Sequence, residues 1–561
     1  MGQFIEKTSS MLNSFAWKLG AILSFIGCAV SILVAIIVIF IDRYITIQSY
    51  FDSGFLLPNI VLIIVAILPI LFFDLFEKLV EKINPSFLEI FYKVLDRWFV
   101  IFALLFFSLL LSVQFRLTNH IWFGPGWDVS IVMGEAHNIA FNGGHLEHYY
   151  FSQYTNNIFL VAILSWVKKL WIVMDWVWIY PILRCAYVGC IIVNLSGLFM
   201  VLSVRKLTTN WKNVLFSLFL YVVLVGLSPW MIIPYSDTYG ILFPVLTFYL
   251  YLQAKETALL LRITLWFLMG LAGLVGYYIK PYTIIVLIAC IVIELLRFFT
   301  VEKVVKTKIV LSLLVLVLSF LCSKQIWNQA VEHVGIEINE DLNMTYAHYL
   351  MLGHNIENTG AYHSPDYAFS SNQPDVETRH QANLEVTRQR IANMGVLGYG
   401  SFLVRKLILN FNDGTFSWWK EGGFLLYENP EPKLTRMHFI LKDIYRADGK
   451  WHEYYRVTAQ TVWLLLLICL VGFFRTKRGN GKDKESSKDQ NGQEKCYWEK
   501  QVLILAMLGM FLAVMLFEAR ARYLFVFAPI YIIMGSMGME NVGLKLKGLL
   551  HALQNFIQRI N

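Results

Sequence analysis

Residues 158–171 read IFLVAILSWVKKLW, and whether this apolar run crosses a membrane sets the topology of the whole chain. Counting it as a span puts Arg205, Lys206 and Lys212 outside, together with the basic link Arg297, Lys303, Lys306 and Lys308. Leaving it out reverses both, and short basic links are retained on the cytoplasmic side. With 158–171 excluded, Lys255, Arg262, the 297–308 cluster, Arg475 to Lys500 and the tail with Lys545, Lys547 and Arg559 are all cytoplasmic. The run is therefore expected to be an interfacial or re-entrant helix on the outer side. The cost of this reading is Lys168 and Lys169, which then sit on the wrong face.

Working outward, the composition fixes the solvent. Of 561 residues, 57% are hydrophobic and 15% charged, and the mean hydropathy is +0.56, values of a polytopic membrane protein. Spans of about 20 apolar residues are expected at 17–41, 56–73, 98–115, 179–203, 213–233, 238–253, 263–279, 282–297, 309–323, 457–474, 501–517 and 523–538. The fold class is thus all-α, with about twelve transmembrane helices. The first run, Trp17 to Ile41, is too long for a signal-peptide core and reads as a retained span. The link bearing Lys78, Lys82, Lys93 and Arg97 is basic, which places both termini in the cytoplasm and Trp122 to Asn157 outside. The net charge of +8 reflects these span ends rather than a nucleic-acid partner. Most of the seven cysteines lie in or beside apolar runs, without disulfide or metal spacing.

Four regions follow: a hairpin and cytoplasmic link at 1–97; a membrane core at 98–323 whose first outer loop is 116–178; an extracytoplasmic loop domain at 324–456; and C-terminal helices at 457–561. The loop domain reads as mixed helix and coil, helical near Ala382 to Asn393, with turns at Asn412-Asp413-Gly414 and Glu421-Gly422-Gly423. The insert at 475–500 contains KRGNGKDKESSKDQNGQEK, a polar low-complexity linker expected to be disordered and cytoplasmic.

Chemistry concentrates on the outer face. Trp122 to Asn157 is polar and glycine-punctuated between apolar runs, and carries Asp128 after Pro125-Gly126-Trp127. Asp237 arrives independently, at the tight junction Pro234-Tyr235-Ser236-Asp237-Thr238. A carboxylate at a span centre costs about 2.5–3.5 kcal/mol on insertion scales, so both belong at an interface or in a wet cavity. The blander role for each is an N-cap. Lys280 precedes Pro281 at an outer turn, and Glu518-Ala519-Arg520-Ala521-Arg522-Tyr523 marks another outer end. Arginines there suit a phosphate; the alternative is snorkelling plus an i,i+4 pair of Glu518 with Arg522. On a continuous helix Arg520 points about 160° away from Arg522, and both reach one ligand only if the segment is extended. His137, His145 and His148 make a weak metal signal, and Asn343-Met344-Thr345 fits a glycan acceptor. Trp122, Trp127, Tyr149, Tyr150, Tyr154, Trp418 and Trp419 gather in the outer loops, where rings stack sugars or lipid headgroups.

Taken in order, Trp127-Asp128, Tyr154 to Trp171, Tyr235-Ser236-Asp237 and Arg520-Ala521-Arg522-Tyr523 with Pro529 resemble the membrane-embedded glycosyltransferases of the C-type fold. That superfamily includes protein mannosyltransferases and family 39-like sugar transferases, and the match extends over most of the chain. YFSQYTNN and EARARYLFVFAPI also resemble bacterial members thought to decorate cell-envelope polymers. Departures are the extra hairpin at 17–73 and a single clear Asp in the first loop. The resemblance implies inverting transfer of a sugar from a polyprenyl-phosphate donor to a glycan, lipid or protein acceptor outside the plasma membrane. It makes Asp128 the base, and Lys280, Arg520 and Arg522 the phosphate holders. Asp237 orients the acceptor or a cation, and Trp127 and Tyr154 line the substrate. A phosphate leaving group needs no proton, so one base suffices. The lipid-linked sugar is the donor substrate, no cofactor is certain, and a divalent cation stays an open option. The alternative is a lipid-linked glycan flippase or transporter, which calls for ionisable residues deep in spans and repeated halves; a binding scaffold comes third.

Overall fold

The computed structural model describes residues 2–560 apart from 51, 53, 56, 122, 143–146, 174–180, 256, 424, 429–434 and 475–495. His145, Trp122 and nearly all of the expected cytoplasmic insert lie outside the described residues. Among these, ten helices are long and apolar enough to cross a membrane. They are Ser10–Ile41, Asn59–Ile83, Glu89–Ile121, Leu183–Leu207, Leu259–Ile279, Pro281–Phe298, Lys303–Val334, His452–Phe473, Tyr497–Leu516 and Ala521–Phe556. The chain is a helical polytopic membrane protein. Leu260, Leu105, Leu109, Val317 and Leu314 on these helices are more than half exposed, a perimeter suited to lipid rather than water.

The two remaining expected spans are shorter. Trp211–Gly226 is one apolar helical run, and Leu242–Ala254 is a helix of 13 residues. Pro229 and Pro234 lie between them, and Pro229 opens a short 3-10 turn, Pro229–Ile232. Proline removes a backbone donor and clashes with the preceding turn, so neither helix runs through. Every residue from Ser228 to Ile241 is buried, the condition under which irregular backbone is tolerated at membrane depth. This broken hairpin carries Asp237.

Two ends of the bundle are distinct. At one, Arg205 pairs with Asp96, Lys212 with Glu77 and Lys255 with Glu499, so the basic span ends share one side. At the other lie both long loops. An antiparallel ribbon joins the loops, with β1 (Phe123–Pro125) against β2 (Leu425–Glu428) and Gly124 opposite Tyr427. Nothing in the sequence announced this pairing, the small exception to an otherwise helical fold. Helix His452–Phe473 crosses Ala528–Ile560 so closely that a Cβ on Gly538 would collide with the Cys469 carbonyl, and one on Gly472 with that of Gly538. Glycine here lets two backbones meet.

The deciding run forms α1 (Ile158–Val173), 16 residues long. Its partners lie at the loop-bearing end: Phe159 rings meet Tyr278 and Trp327, and Ser165 bonds His333 at 2.8 Å. Lys168 is 2% exposed and donates to the Met133 carbonyl at 2.7 Å. The wrong-face lysine is thus an internal strut between the helix and the first loop. Burial brings its ammonium down to about 8, which eases its enclosure. The loop helix expected near 382–393 is part of α2 (Val376–Phe411), opened by an Asp375 carboxylate that accepts from the Thr378 N–H at 2.8 Å.

Candidate active site

The site is assembled from five separate stretches of chain. Asp237, wholly buried on the broken hairpin, lies 2.8 Å from Lys280 Nζ and 3.2 Å from Arg522 Nε through its two oxygens. Lys280 reaches in because it follows the last residue of helix Leu259–Ile279 in an extended conformation, with its ammonium 4.6 Å from the Tyr523 ring centre. Burial lowers the Lys280 pKa, and Asp237 opposes this. Arg522 continues to the Glu421 carboxylate, and Arg520 meets the other Glu421 oxygen at 3.5 Å. Burial pushes the Glu421 carboxyl up while the two guanidiniums pull it down.

Neither aspartate is the N-cap: Trp127 and Tyr235 hold those positions, and Asp128 and Asp237 lie in the first helical turn. Of the two conformations left open for the arginine motif, the extended one is present. The helix of Leu516 stops there, Phe517 is extended, Arg520 is extended (φ −158°, ψ 132°), and a 3-10 run covers Ala521–Phe527. Pro529 is the second residue of the next helix, where its ring would clash with a helical carbonyl four residues earlier. Glu518 therefore does not pair with Arg522 across a turn. It takes Arg520 at 3.1 Å and accepts from the Tyr523 hydroxyl at 2.8 Å. The extension brings both arginines to one carboxylate, an arrangement closed to a continuous helix.

The strap before the arginines is held by the loop domain. Lys406, on α2 and fully buried, donates to the Gly353 and Phe517 carbonyls at 2.5 and 2.7 Å, and the Ala519 N–H donates to Gly360 O at 2.7 Å. Gly360 has φ +80°, a conformation that costs other residues most.

Asp128 is exposed beside this buried cluster. It accepts from the Tyr235 hydroxyl at 3.4 Å. The Tyr235 ring is 5.1 Å from Trp127 at 87°, and the Arg522 guanidinium sits 4.4 Å over Trp127 and 5.5 Å from Tyr235. One ring thus separates the exposed carboxylate from the buried cations. Tyr154 is half-buried, its ring centre 5.0 Å from that of Tyr150 with the planes tilted by 47°; burial, then Tyr349 and Asp128, raises its phenol pKa. The long loop closes on this stretch, since Tyr367 donates to Gln153 at 3.0 Å. The structure therefore brings Asp128, Trp127, Asp237, Lys280, Arg520 and Arg522 into one connected set, with Tyr154 beside Asp128. His137 is exposed, its ring 4.7 Å from Phe141 at a tilt of 50°; among the described residues no three His, Cys, Asp or Glu side chains form a metal-holding group. Glu421 was missed because Glu-Gly-Gly reads only as a turn.

No curated protein matches the chain. A solved structure with partial likeness is the crystal structure of ArnT from Cupriavidus metallidurans bound to undecaprenyl phosphate. It is 12% identical over 80% of this chain and 79% of that one, with a TM-score of 0.27, too loose a superposition to transfer any residue. A family model described as conserved hypothetical integral membrane protein matches residues 18–542. The chain belongs to that family of integral membrane proteins.

Proposed function

We propose that this protein is an inverting glycosyltransferase that moves a sugar from a polyprenyl-phosphate donor to a glycan, lipid or protein acceptor. The observation that carries the reading is the convergence of Lys280 and Arg522 on Asp237, with Arg520 joined to Arg522 through Glu421 and the exposed Asp128 one tyrosine ring away. Fixed cations at the edge of an apolar bundle suit a phosphate that departs while its lipid stays among the helices. In the reaction, Asp128 accepts the proton of an acceptor hydroxyl. The acceptor oxygen bonds to the anomeric carbon opposite the phosphate, and the carbon–oxygen bond to phosphate breaks. Its electron pair leaves on the phosphate, whose growing charge Lys280, Arg520 and Arg522 offset. Trp127 and Tyr154 offer ring faces to the sugar, and Asp237 fixes Lys280 and Arg522.

The loop-bearing end is outside in this reading, with both termini in the cytoplasm of a plasma-membrane protein. The basic ends gathered at the opposite side support that orientation. The test is incubation of the purified protein with a panel of labelled polyprenyl-phosphate sugars: sugar transfer or release supports it, and unaltered donor across the panel opposes it.

A further inference from the structure

Within the buried cluster, charge is already balanced. Among the described residues, Lys280, Arg520 and Arg522 face Asp237, Glu421 and Glu518. A neutral cluster exerts no net pull on an arriving anion, so binding a phosphate there is favourable only if one carboxylate gives way. The three are not equally able to move. Asp237 lies on the wholly buried broken hairpin, and Glu518 on the strap held by Lys406 and Gly360. Glu421 ends a one-turn helix, Trp418–Glu421, flanked by left-handed Phe416 and Ser417 (φ 56° and 65°) on one side and by Gly422-Gly423 on the other. It is also the carboxylate that bridges both arginines.

We propose that Glu421 holds the anion position between Arg520 and Arg522 and yields it to the donor phosphate. The exchange makes Glu421 a determinant of donor charge. Replacing one carboxylate by a singly charged phosphodiester keeps the cluster neutral, whereas a doubly charged diphosphate linkage leaves it one charge in excess. It also has a mechanical consequence. Glu421 is four residues before β2, which pairs with β1, and β1 ends three residues before Asp128. Displacing Glu421 pulls on the ribbon leading to the base, so donor binding and base placement are coupled.

This rests on the transferase reading, and the experiment separates the two. Full-length protein in lipid nanodiscs is titrated at fixed salt with the methyl ester of a short-chain polyprenyl monophosphate, a singly charged phosphodiester like the donor linkage. Glu421→Gln keeps the shape and removes the competing charge, so it is expected to bind about tenfold tighter than the unaltered protein. A structural strut would give the opposite sign. On the unaltered protein, amide hydrogen exchange across 416–428 is expected to speed up when the methyl ester is added, a readout that stands even if the variant does not fold. Normal binding by the unaltered protein with equal or weaker binding by Glu421→Gln overturns the exchange and leaves the transferase reading standing. Unchanged or slowed exchange at 416–428 does the same. Absence of methyl ester binding by folded, unaltered protein overturns both.

Discussion

Asp128 and Asp237 carry the same functional group in opposite settings, and their substitutions should fail differently. Asp128 is exposed, so Asp128→Asn is expected to leave folding and donor binding near normal while turnover falls about 10²–10⁴-fold, the span of general-base contributions. Steady-state kinetics beside donor binding reads this directly. Asp237 is enclosed by Lys280 and Arg522, so Asp237→Ala strands the buried Lys280 and leaves Arg522 with Glu421 alone. Breaking such a pair costs about 3–5 kcal/mol, which should appear as a large drop in thermal midpoint and poor recovery from membranes. At this scale the sequence was partly readable. Charges repeated at span ends on one face brought out Asp128, Asp237, Lys280, Arg520 and Arg522. Glu421 stayed hidden because its partner Arg522 is 101 positions away and two glycines after it argue for a turn. Ion pairs between distant segments leave no local pattern.

Elements were readable where charge or proline constrains them. The exclusion of 158–171 from the spans rests on the charges of later links, and the partners of α1 named above lie at the loop-bearing end. The burial of Lys168 was not foreseeable, because its acceptor is the Met133 carbonyl and a backbone oxygen has no residue signature. Likewise the 3-10 run at Ala521–Phe527 had only Pro529 to announce it. Lys406 makes the strap testable by pH. Burial brings its ammonium from 10.5 to about 7, so between pH 7 and 10.5 the unfolded chain holds a proton that the folded one has released. Stability must then rise with pH through that window. The thermal midpoint is expected to climb from pH 7 to 10 in the unaltered protein and to climb less in Lys406→Met. Equal slopes would remove Lys406 from the account. Lys406→Met should also be less stable at pH 9, since the Gly353 and Phe517 carbonyls lose their donor at about 1–3 kcal/mol each.

The whole molecule is a bundle with one basic end and one loop-bearing end, and the site lies at the latter because five distant stretches meet there. Hydropathy and basic links made the bundle legible. The ribbon of β1 with β2 was not, since strands of three and four residues are too short to show an alternation. Orientation is checked by single cysteines in intact cells: Val396, 91% exposed on the loop domain, should react with an impermeant thiol reagent after substitution, and Gln554 near the end of the last helix should not. Reversed labelling would place the site on the cytoplasmic side. The transferase reading meets its most direct test in one comparison, purified protein and its Asp128→Asn variant incubated with labelled polyprenyl-phosphate sugars. The expected result is sugar leaving the lipid with the unaltered protein and remaining on it with the variant. Donor untouched by both, or consumed equally by both, would contradict it.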